Sequence, residues 1–483
     1  MTTLYNDYFQ AVIHLLFLGV LGSYLILNLQ WYSYRLERVL FHHKKQRWHL
    51  TFILIPLIAY YLTGKYFWIF LLFAQIPMFA LWYRKMDKKL VFTARVKRFY
   101  LFLLLAALVE QVVCFGRCEF YSVLVPLIAA YALSVLSETV ILNYYRANAK
   151  AKLKSMKELR IVAITASFGK TSIKNFLFQL VKNDFNAYMS PKSVNTEVGL
   201  IADINKNLPA STQVYIAEAG ARQRGDILAI SRLLQQHFAI IGKLGPQHIE
   251  YFKTQENINA AKREILVSNN MQKGFVHESA QIKAQLLEVY GEHGDIKIEN
   301  VVSDLEGTRW EVVEGEKRTP LSTPLIGGFN ATNITAAFLC ARELGVKEDE
   351  LVRKIRLLAP VEHRMQRIDA GGKIIIDDSF NGNIEGMLEA IRIAENYKGR
   401  KVIVTPGIVE GDEALNIRLA KRINEVFDLA IITSDINHDT LSAHIDHGRR
   451  KRVFNKAGME LMLAHETHPG DLILFANDAP NFM

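Results

Sequence analysis

The chain has 483 residues, enough for about three domains, and a formal net charge of +10 from 58 Lys and Arg against 48 Asp and Glu. The excess is local: residues 1–160 hold 20 basic and 7 acidic side chains, and the remainder holds 38 and 41. Basic charge confined to the most apolar third is no nucleic-acid footprint, so no nucleic acid is expected among the partners. Three cysteines, Cys114, Cys118 and Cys340, are too few and scattered for a disulfide framework or a zinc site, though a bridge between the first two is left open.

Five apolar stretches come first, at about 9–30, 50–64, 66–83, 99–116 and 120–142. Several approach the ~20 residues that cross a bilayer core. They predict a transmembrane bundle of about five helices over 1–150, with Gly64-Lys65 as a tight turn between the second and third. The first 30 residues hold no Lys or Arg, so no cleavable signal peptide is expected. Basic residues alternate between connections: five in 33–49, seven in 84–98 and six in 144–160, against Lys65 and Arg117 in the others. The positive-inside rule then puts the N-terminus outside and everything after residue 143 in the cytoplasm, with membrane lipid as a partner. Glu110 and Glu138 fall within spans. Either they mark a polar pathway, or Glu110 caps its helix near one surface and Glu138 approaches the other.

Arg160–Thr165 is a short β-branched run, predicted as a buried strand. It leads through Ala166-Ser-Phe-Gly-Lys-Thr-Ser172 into an amphipathic helix from Ile173 to about Val181. Strand, tight loop and helix N-terminus cradle phosphates: backbone N–H groups and the helix dipole favour the anion, a Lys reaches the terminal phosphates, and a hydroxyl ligates Mg²⁺. The loop is shorter than the usual phosphate loop, and Ala166 stands where a first Gly is expected.

Ile164-Thr-Ala-Ser-Phe-Gly-Lys-Thr-Ser172 resembles the nucleotide loop of the Mur ligases. Other segments resemble the family in order: Ser193-Val-Asn-Thr-Glu-Val-Gly199, Val214-Tyr-Ile-Ala-Glu-Ala-Gly-Ala221 with Gly225-Asp-Ile227, Gly245-Pro-Gln-His-Ile-Glu250 and Ala260-Ala-Lys-Arg-Glu-Ile265. Gly328-Phe-Asn-Ala-Thr-Asn-Ile-Thr-Ala-Ala337, His363-Arg-Met365 and Asp377-Asp-Ser-Phe-Asn-Gly-Asn383 complete the set, which covers roughly 158–483. The likeness is greatest to the member that adds D-alanyl-D-alanine. It implies two α/β domains, an ATP-binding central one at 151–358 and a Rossmann-like C-terminal one at 359–483.

The implied chemistry is ATP-dependent amide-bond formation through an acyl phosphate, releasing ADP and phosphate, in peptidoglycan precursor synthesis. The implied ligands are ATP, Mg²⁺ at two sites, UDP-muramoyl-tripeptide and D-Ala-D-Ala or a related acceptor and amine; other cell-wall precursor enzymes are implied partners. By the same resemblance Lys170, Glu218, His248 and Lys262 are catalytic, and Thr171, Glu218, His248 and Lys262 hold metal. Lys262 would be carbamylated, because a free amine repels Mg²⁺ whereas a carbamate offers it oxygen; the plain alternative is an exposed helix lysine. ATP would meet Ser167, Gly169, Lys170, Thr171, Ser172, Asn330, Asn333, Arg364 and Asp378, and substrate would meet Asn195, Thr196, Asn381 and Asn383. For Asn381 and Asn383 a plain turn is an equal reading. Phe329 departs from the family, which usually has His there, and this puts a base or ribose contact in doubt.

From about Val361 a second doubly wound pattern is predicted: strands Lys373–Asp377, Lys401–Thr405 and Leu429–Thr433, helices Ile384–Asn396 and Asn416–Phe427. Thr405-Pro-Gly-Ile-Val-Glu410 and Phe475-Ala-Asn-Asp-Ala-Pro-Asn-Phe482 depart from the family where the amine should be chosen, and membrane spans stand in place of its N-terminal UDP-sugar domain. A related ligase acting on a lipid-linked or poly-amino-acid acceptor is therefore the alternative. An ATP-driven transporter is a remote one, since no Leu-Ser-Gly-Gly-Gln signature occurs.

Overall fold

The computed structural model describes residues 2–32, 34–41, 47–86, 88–114, 121–192, 194–246, 249–380, 382–409, 411–433, 435–453 and 456–476. His248, Asn381 and the segment after Ala476 lie outside the described residues. The chain divides into two compact units, residues 1–144 and 145–483.

The first unit is helical. It contains α1 (Thr2–Trp31), a helical run over Arg47–Arg84, α2 (Ala94–Cys114) and most of α3 (Leu124–Ser155). The run is a hairpin. Gly64 takes φ +52°, and Trp48 lies 5.3 Å from Trp82 and Phe52 6.1 Å from Phe79, ring centre to ring centre. A straight helix would hold such pairs tens of ångströms apart at ~1.5 Å per residue. Tyr8–Trp31, Arg47–Arg84 and Leu124–Ser155 are long and apolar enough to cross a membrane, by length and composition. The second and third expected stretches thus share one run. The fourth falls in α2, a helix of 21 residues that carries Arg95, Lys97, Arg98 and Glu110.

Both acids within the apolar stretches are paired. Glu110 accepts from the Ser122 N–H at 2.5 Å and lies 3.3 Å from His14 Nε2, whose Nδ1 meets Tyr60 Oη at 3.1 Å. Glu138 bonds Arg98. Cys114 is disulfide-bonded, its candidate partner Cys118 lying outside the described residues, whereas Cys340 is a free buried thiol.

The second unit holds two sheets. The first has nine strands in the order β2-β3-β1-β4-β5-β6-β7-β8-β9. Its centre is β1 (Arg160–Thr165), β3 (Val214–Glu218) and β4 (Phe238–Ile241), parallel and almost wholly buried. Near-continuous apolar runs such as Ile-Val-Ala-Ile suit strands covered on both faces. β2 (Ala187–Met189) flanks β3. On the far side β5 (Lys273–His277), β6 (Leu287–Gly291) and β7 (Ile296–Asp304) continue in parallel. β8 (Gly307–Glu314) and β9 (Lys317–Thr323) then turn antiparallel about Gly315, at φ +60°. The sequence reading assigned no element to this stretch.

Helix α4 (Lys170–Val181) follows β1, and α5 (Glu197–Lys206) precedes β3. The end of α3 is bound to α5: Arg146 grips Glu197 with two bonds of 2.7 and 3.1 Å, and Lys152 Nζ donates to Ile204 O at 2.7 Å. Next come α6 (Asp226–Leu234), α7 (Gln255–Arg263) and α8 (Phe329–Glu343), the last packed on α4 and tied to β8 by Trp310 Nε1–H to Thr335 Oγ1 at 3.0 Å.

The second sheet has the order β10-β11-β15-β12-β13-β14, parallel except for β10 (Gln366–Ala370). It comprises β11 (Lys373–Asp378), β12 (Lys401–Thr405), β13 (Leu429–Ile432), β14 (Arg450–Arg452) and β15 (Leu472–Ala476), with α9 (Ile384–Glu395) and α10 (Glu413–Val426) among its helices. α10 starts three residues before the expected Asn416. Asp412 caps it by accepting the Leu415 N–H at 2.9 Å, which satisfies an orphan donor of the first turn.

Candidate active site

The loop between β1 and α4 is closed by its own side chains. Gly169 sits at φ +82°, and a Cβ there would lie 2.4 Å from Asn333 Oδ1 on α8, so only glycine allows this approach. Lys170, the first residue of α4, folds back to donate to Ala166 O at 2.7 Å and Ser167 O at 3.1 Å. Desolvation lowers its ammonium to about 8, against the pull of Glu218 and aided by Arg364. Ser167 Oγ–H holds Gly245 O at 2.9 Å, which fixes the loop to the segment after β4.

Glu218 ends β3 at the C-terminal edge of the parallel strands, where open α/β sheets bind ligands. It is 2% exposed. Its Oε2 accepts from Thr171 Oγ1 at 3.0 Å and its Oε1 from Asn195 Nδ2 at 3.0 Å. Lys174 Nζ lies 3.5 Å from Oε2 and is itself buried. Lys262, on α7, is 2% exposed rather than an outward helix lysine. Burial drives its ammonium well below the usual lysine range, and the charge of Lys170 pushes the same way, against Glu218 and Asp226.

A cavity of about 640 Å³ joins the phosphate loop and Glu218 to groups beside the second sheet, and neither Lys174 nor Lys262 is part of its wall. Its wall includes Ser167, Gly169, Lys170, Thr171, Ser172, Asn195, Glu218 and Asn333, and also Arg364, Asp378 and Asn383. Asp378 is buried at the end of β11, accepts the Met365 N–H at 3.1 Å, and is pushed up to about 6 by desolvation. Arg364 lies over the Phe380 ring at 4.8 Å. Asn383 both faces the cavity and caps α9, accepting Gly386 N–H at 3.0 Å, so turn and site coincide there.

Two expected residues have other tasks. Asn330 donates to Ile326 O at 2.8 Å and steadies the start of α8. Thr196 caps α5 through the Gly199 N–H at 3.2 Å. The sequence reading missed Lys174, although it lies three residues after Thr171 and so shares its helix face. It also missed Lys243, which follows β4 at the same sheet edge and pairs with Glu385 across the cavity wall at 2.8 Å. Phe329 lines the cavity where a histidine was expected.

Among the described residues no group of three or more His, Cys, Asp or Glu could hold a metal ion. The expected set is different in kind. The Thr171 hydroxyl and the Glu218 carboxylate, 3.0 Å apart beside the phosphate loop, are hard oxygen donors that fit Mg²⁺.

Residues 164–341 match the family model of the Mur ligase middle domain. The chain carries that domain. It is similar to UDP-N-acetylmuramoyl-tripeptide–D-alanyl-D-alanine ligases. That of Bacillus subtilis (strain 168) is 25% identical over 347 residues, covering 68% of this chain and 74% of the relative. In fold it resembles a crystal structure of MurF from Acinetobacter baumannii, with TM-score 0.62 and 21% identity over 69% of this chain and 77% of that one. It also resembles MurF ligase from Thermotoga maritima in complex with ADP, with TM-score 0.60 and 22% identity over 70% and 80%.

Proposed function

We propose that the chain joins D-alanyl-D-alanine to UDP-N-acetylmuramoyl-tripeptide at the expense of ATP. The observation that carries this reading is the convergence of Lys170, Thr171, Asn195 and Glu218 on one cavity that Arg364 and Asp378 face from the second sheet. The similarity to ligases of that name supplies the substrates.

A carboxylate is a poor electrophile at neutral pH and must be activated. Its oxygen attacks the γ-phosphorus of ATP, the bond to the bridging oxygen breaks, and ADP leaves. The amine then adds to the carbonyl carbon of the acyl phosphate, and the tetrahedral species expels phosphate and loses a proton. Two anions must lie side by side for this. Lys170 answers the β- and γ-phosphates, and Thr171 and Glu218 would hold Mg²⁺, which supplies further positive charge. His248 and a carbamylated Lys262 would hold a second ion. The buried, depressed amine of Lys262 supports that assignment, because CO₂ reacts with a neutral amine. Arg364, Asp378 and Asn383 would orient the nucleotide from the second sheet and exclude water from the acyl phosphate.

The first unit is read as a membrane bundle of about five spans, N-terminus outside, with the ligase at the cytoplasmic face. Its apolar helices and basic connections support this. Thiol labelling of single cysteines introduced into 33–49 and 84–98 should fail from outside intact cells; labelling there would overturn the orientation.

A second reading keeps the chemistry and changes the acceptor to a lipid-linked one. It is favoured by the apolar helices of the first unit. Purified full-length protein with ATP, Mg²⁺ and UDP-muramoyl-tripeptide, with and without D-Ala-D-Ala, separates the two. Dipeptide-dependent phosphate release and the ligated mass are expected. Phosphate release only with a lipid-borne acceptor would transfer the assignment to the second reading.

A further inference from the structure

We propose that Lys174 is a positioning residue that ties the Glu218 carboxylate to the backbone at Ser190 and Lys192 behind the cavity. The inference rests on the reading of Glu218 as a metal-holding group.

Lys174 lies on the second turn of α4, three residues beyond Thr171, and is 1% exposed. An ammonium has three N–H bonds to satisfy. Here it meets three acceptors: Ser190 O at 2.9 Å, Lys192 O, and Glu218 Oε2 at 3.5 Å. Those acceptors belong to both segments that meet at the site. Ser190 returns the contact, its Oγ accepting the Glu218 N–H at 3.3 Å and its own N–H reaching Ile216 O at 2.9 Å. Five residues on, Asn195 donates to Glu218 Oε1 at 3.0 Å and accepts the Gly220 N–H at 2.8 Å.

The carboxylate is therefore fixed at both oxygens, Oε1 by Asn195 and Oε2 by Thr171 and Lys174. Thr171, Asn195 and Glu218 form part of the cavity wall, and Lys174 does not. It acts on the cavity only through Glu218 and the backbone at Ser190 and Lys192. An unpaired buried charge is strongly unfavourable, and an ammonium keeps its place here because every N–H has a partner. Removing it frees two carbonyls and one face of the carboxylate together, so both segments should loosen at once.

The test uses the full-length protein with Lys174→Met, which keeps the length of the stem and deletes the charge. Two quantities are measured without turnover: Mn²⁺ affinity in the presence of ADP, and hydrogen exchange at the Glu218 and Gly220 amides in metal-free protein. Binding weaker by about tenfold or more is expected, as for partners that orient a metal ligand, with faster exchange at both amides. The KM for the amine, read in the same preparation, should stay within twofold. If the methionine variant is not recovered folded, Lys174→Gln, which retains an N–H donor for one carbonyl, carries the same measurements. A folded variant with wild-type Mn²⁺ affinity and unchanged exchange overturns the proposal. Glu218→Gln separates this from failure of the underlying reading: if it leaves Mn²⁺ affinity intact, Glu218 holds no metal, whatever Lys174 does.

Discussion

Gly169→Ala tests the phosphate loop most directly, because two separate costs can be worked out at one position. The first is conformational. At φ +82° a residue with a Cβ is disfavoured by about 1–2 kcal/mol. The second is contact. The new methyl would lie 2.4 Å from Asn333 Oδ1 and 2.9 Å from Nδ2, and Asn333 is 6% exposed on a packed helix, so its amide has little room to swing. Pushing such a side chain off its rotamer costs about 0.5–1.5 kcal/mol. The total, about 1.5–3.5 kcal/mol, corresponds to roughly 10- to 400-fold in an equilibrium constant.

Where that cost appears depends on whether the loop keeps its shape. A loop that holds loses stability, and a loop that relaxes loses its nucleotide. Both should therefore be measured, ADP affinity by titration and the melting temperature of the full-length protein. Gly169→Ala with Asn333→Ala removes the contact but not the strained φ, and should recover a third to a half of the loss in stability. Wild-type ADP affinity and wild-type melting in Gly169→Ala would refute the argument that the loop needs glycine.

Lys262→Ala should reduce ligation to near background, with partial recovery on adding short carboxylic acids; a variant with full activity removes the carbamate. Asp378 gives a pH signature. Its native pKa of about 6 lies above the usual 3.8, so between about pH 4 and 6 the folded chain keeps a proton that the unfolded chain has lost. Stability from this group is then full below about pH 4 and is lost as pH rises to 6, by up to about 3 kcal/mol. Asp378→Asn should flatten that part of the melting-temperature profile, and parallel profiles for the two proteins would count against the assignment. Arg146→Ala should cost about 1 kcal/mol, since the Glu197 pair is partly exposed, and should speed hydrogen exchange at the start of α5. Unchanged exchange there would mean that the pair does not hold the helix.

The parts legible in the sequence are those with a local cause. The β-branched run before Gly169-Lys170-Thr171 announces a buried strand followed by a helix, and both elements are present. Three strands and two helices of the second doubly wound unit were readable because they keep distinct periods, with the start of α10 moved by the Asp412 cap, whereas β10, β14 and β15 were not assigned. Gly64 showed its turn because no other residue there tolerates positive φ so easily. What stayed hidden depends on tertiary facing. A lysine at position 174 reads as a solvated helix residue until β3 is known to lie beneath it. Lys262 differs from an exposed lysine only by its burial. Asn330 and Asn333 look equivalent in sequence, yet one faces its own helix start and the other meets the loop. The meander from β7 to β9 went unread although Trp310 and Val312 alternate inward on β8, because its strands follow one another without the helices that mark the rest of the fold.

The buried thiol of Cys340 has a practical use. It sits inside α8 with no exposed surface, and burial raises its pKa well above the ordinary thiol range, reinforced by Glu343. In the closed fold it offers an alkylating reagent neither access nor thiolate. Any modification there must await an opening of the helix layer over the first sheet, so its labelling rate is a clock for that opening. Slower labelling with ATP present would report, without a dye or an engineered probe, how firmly the nucleotide ties that layer down.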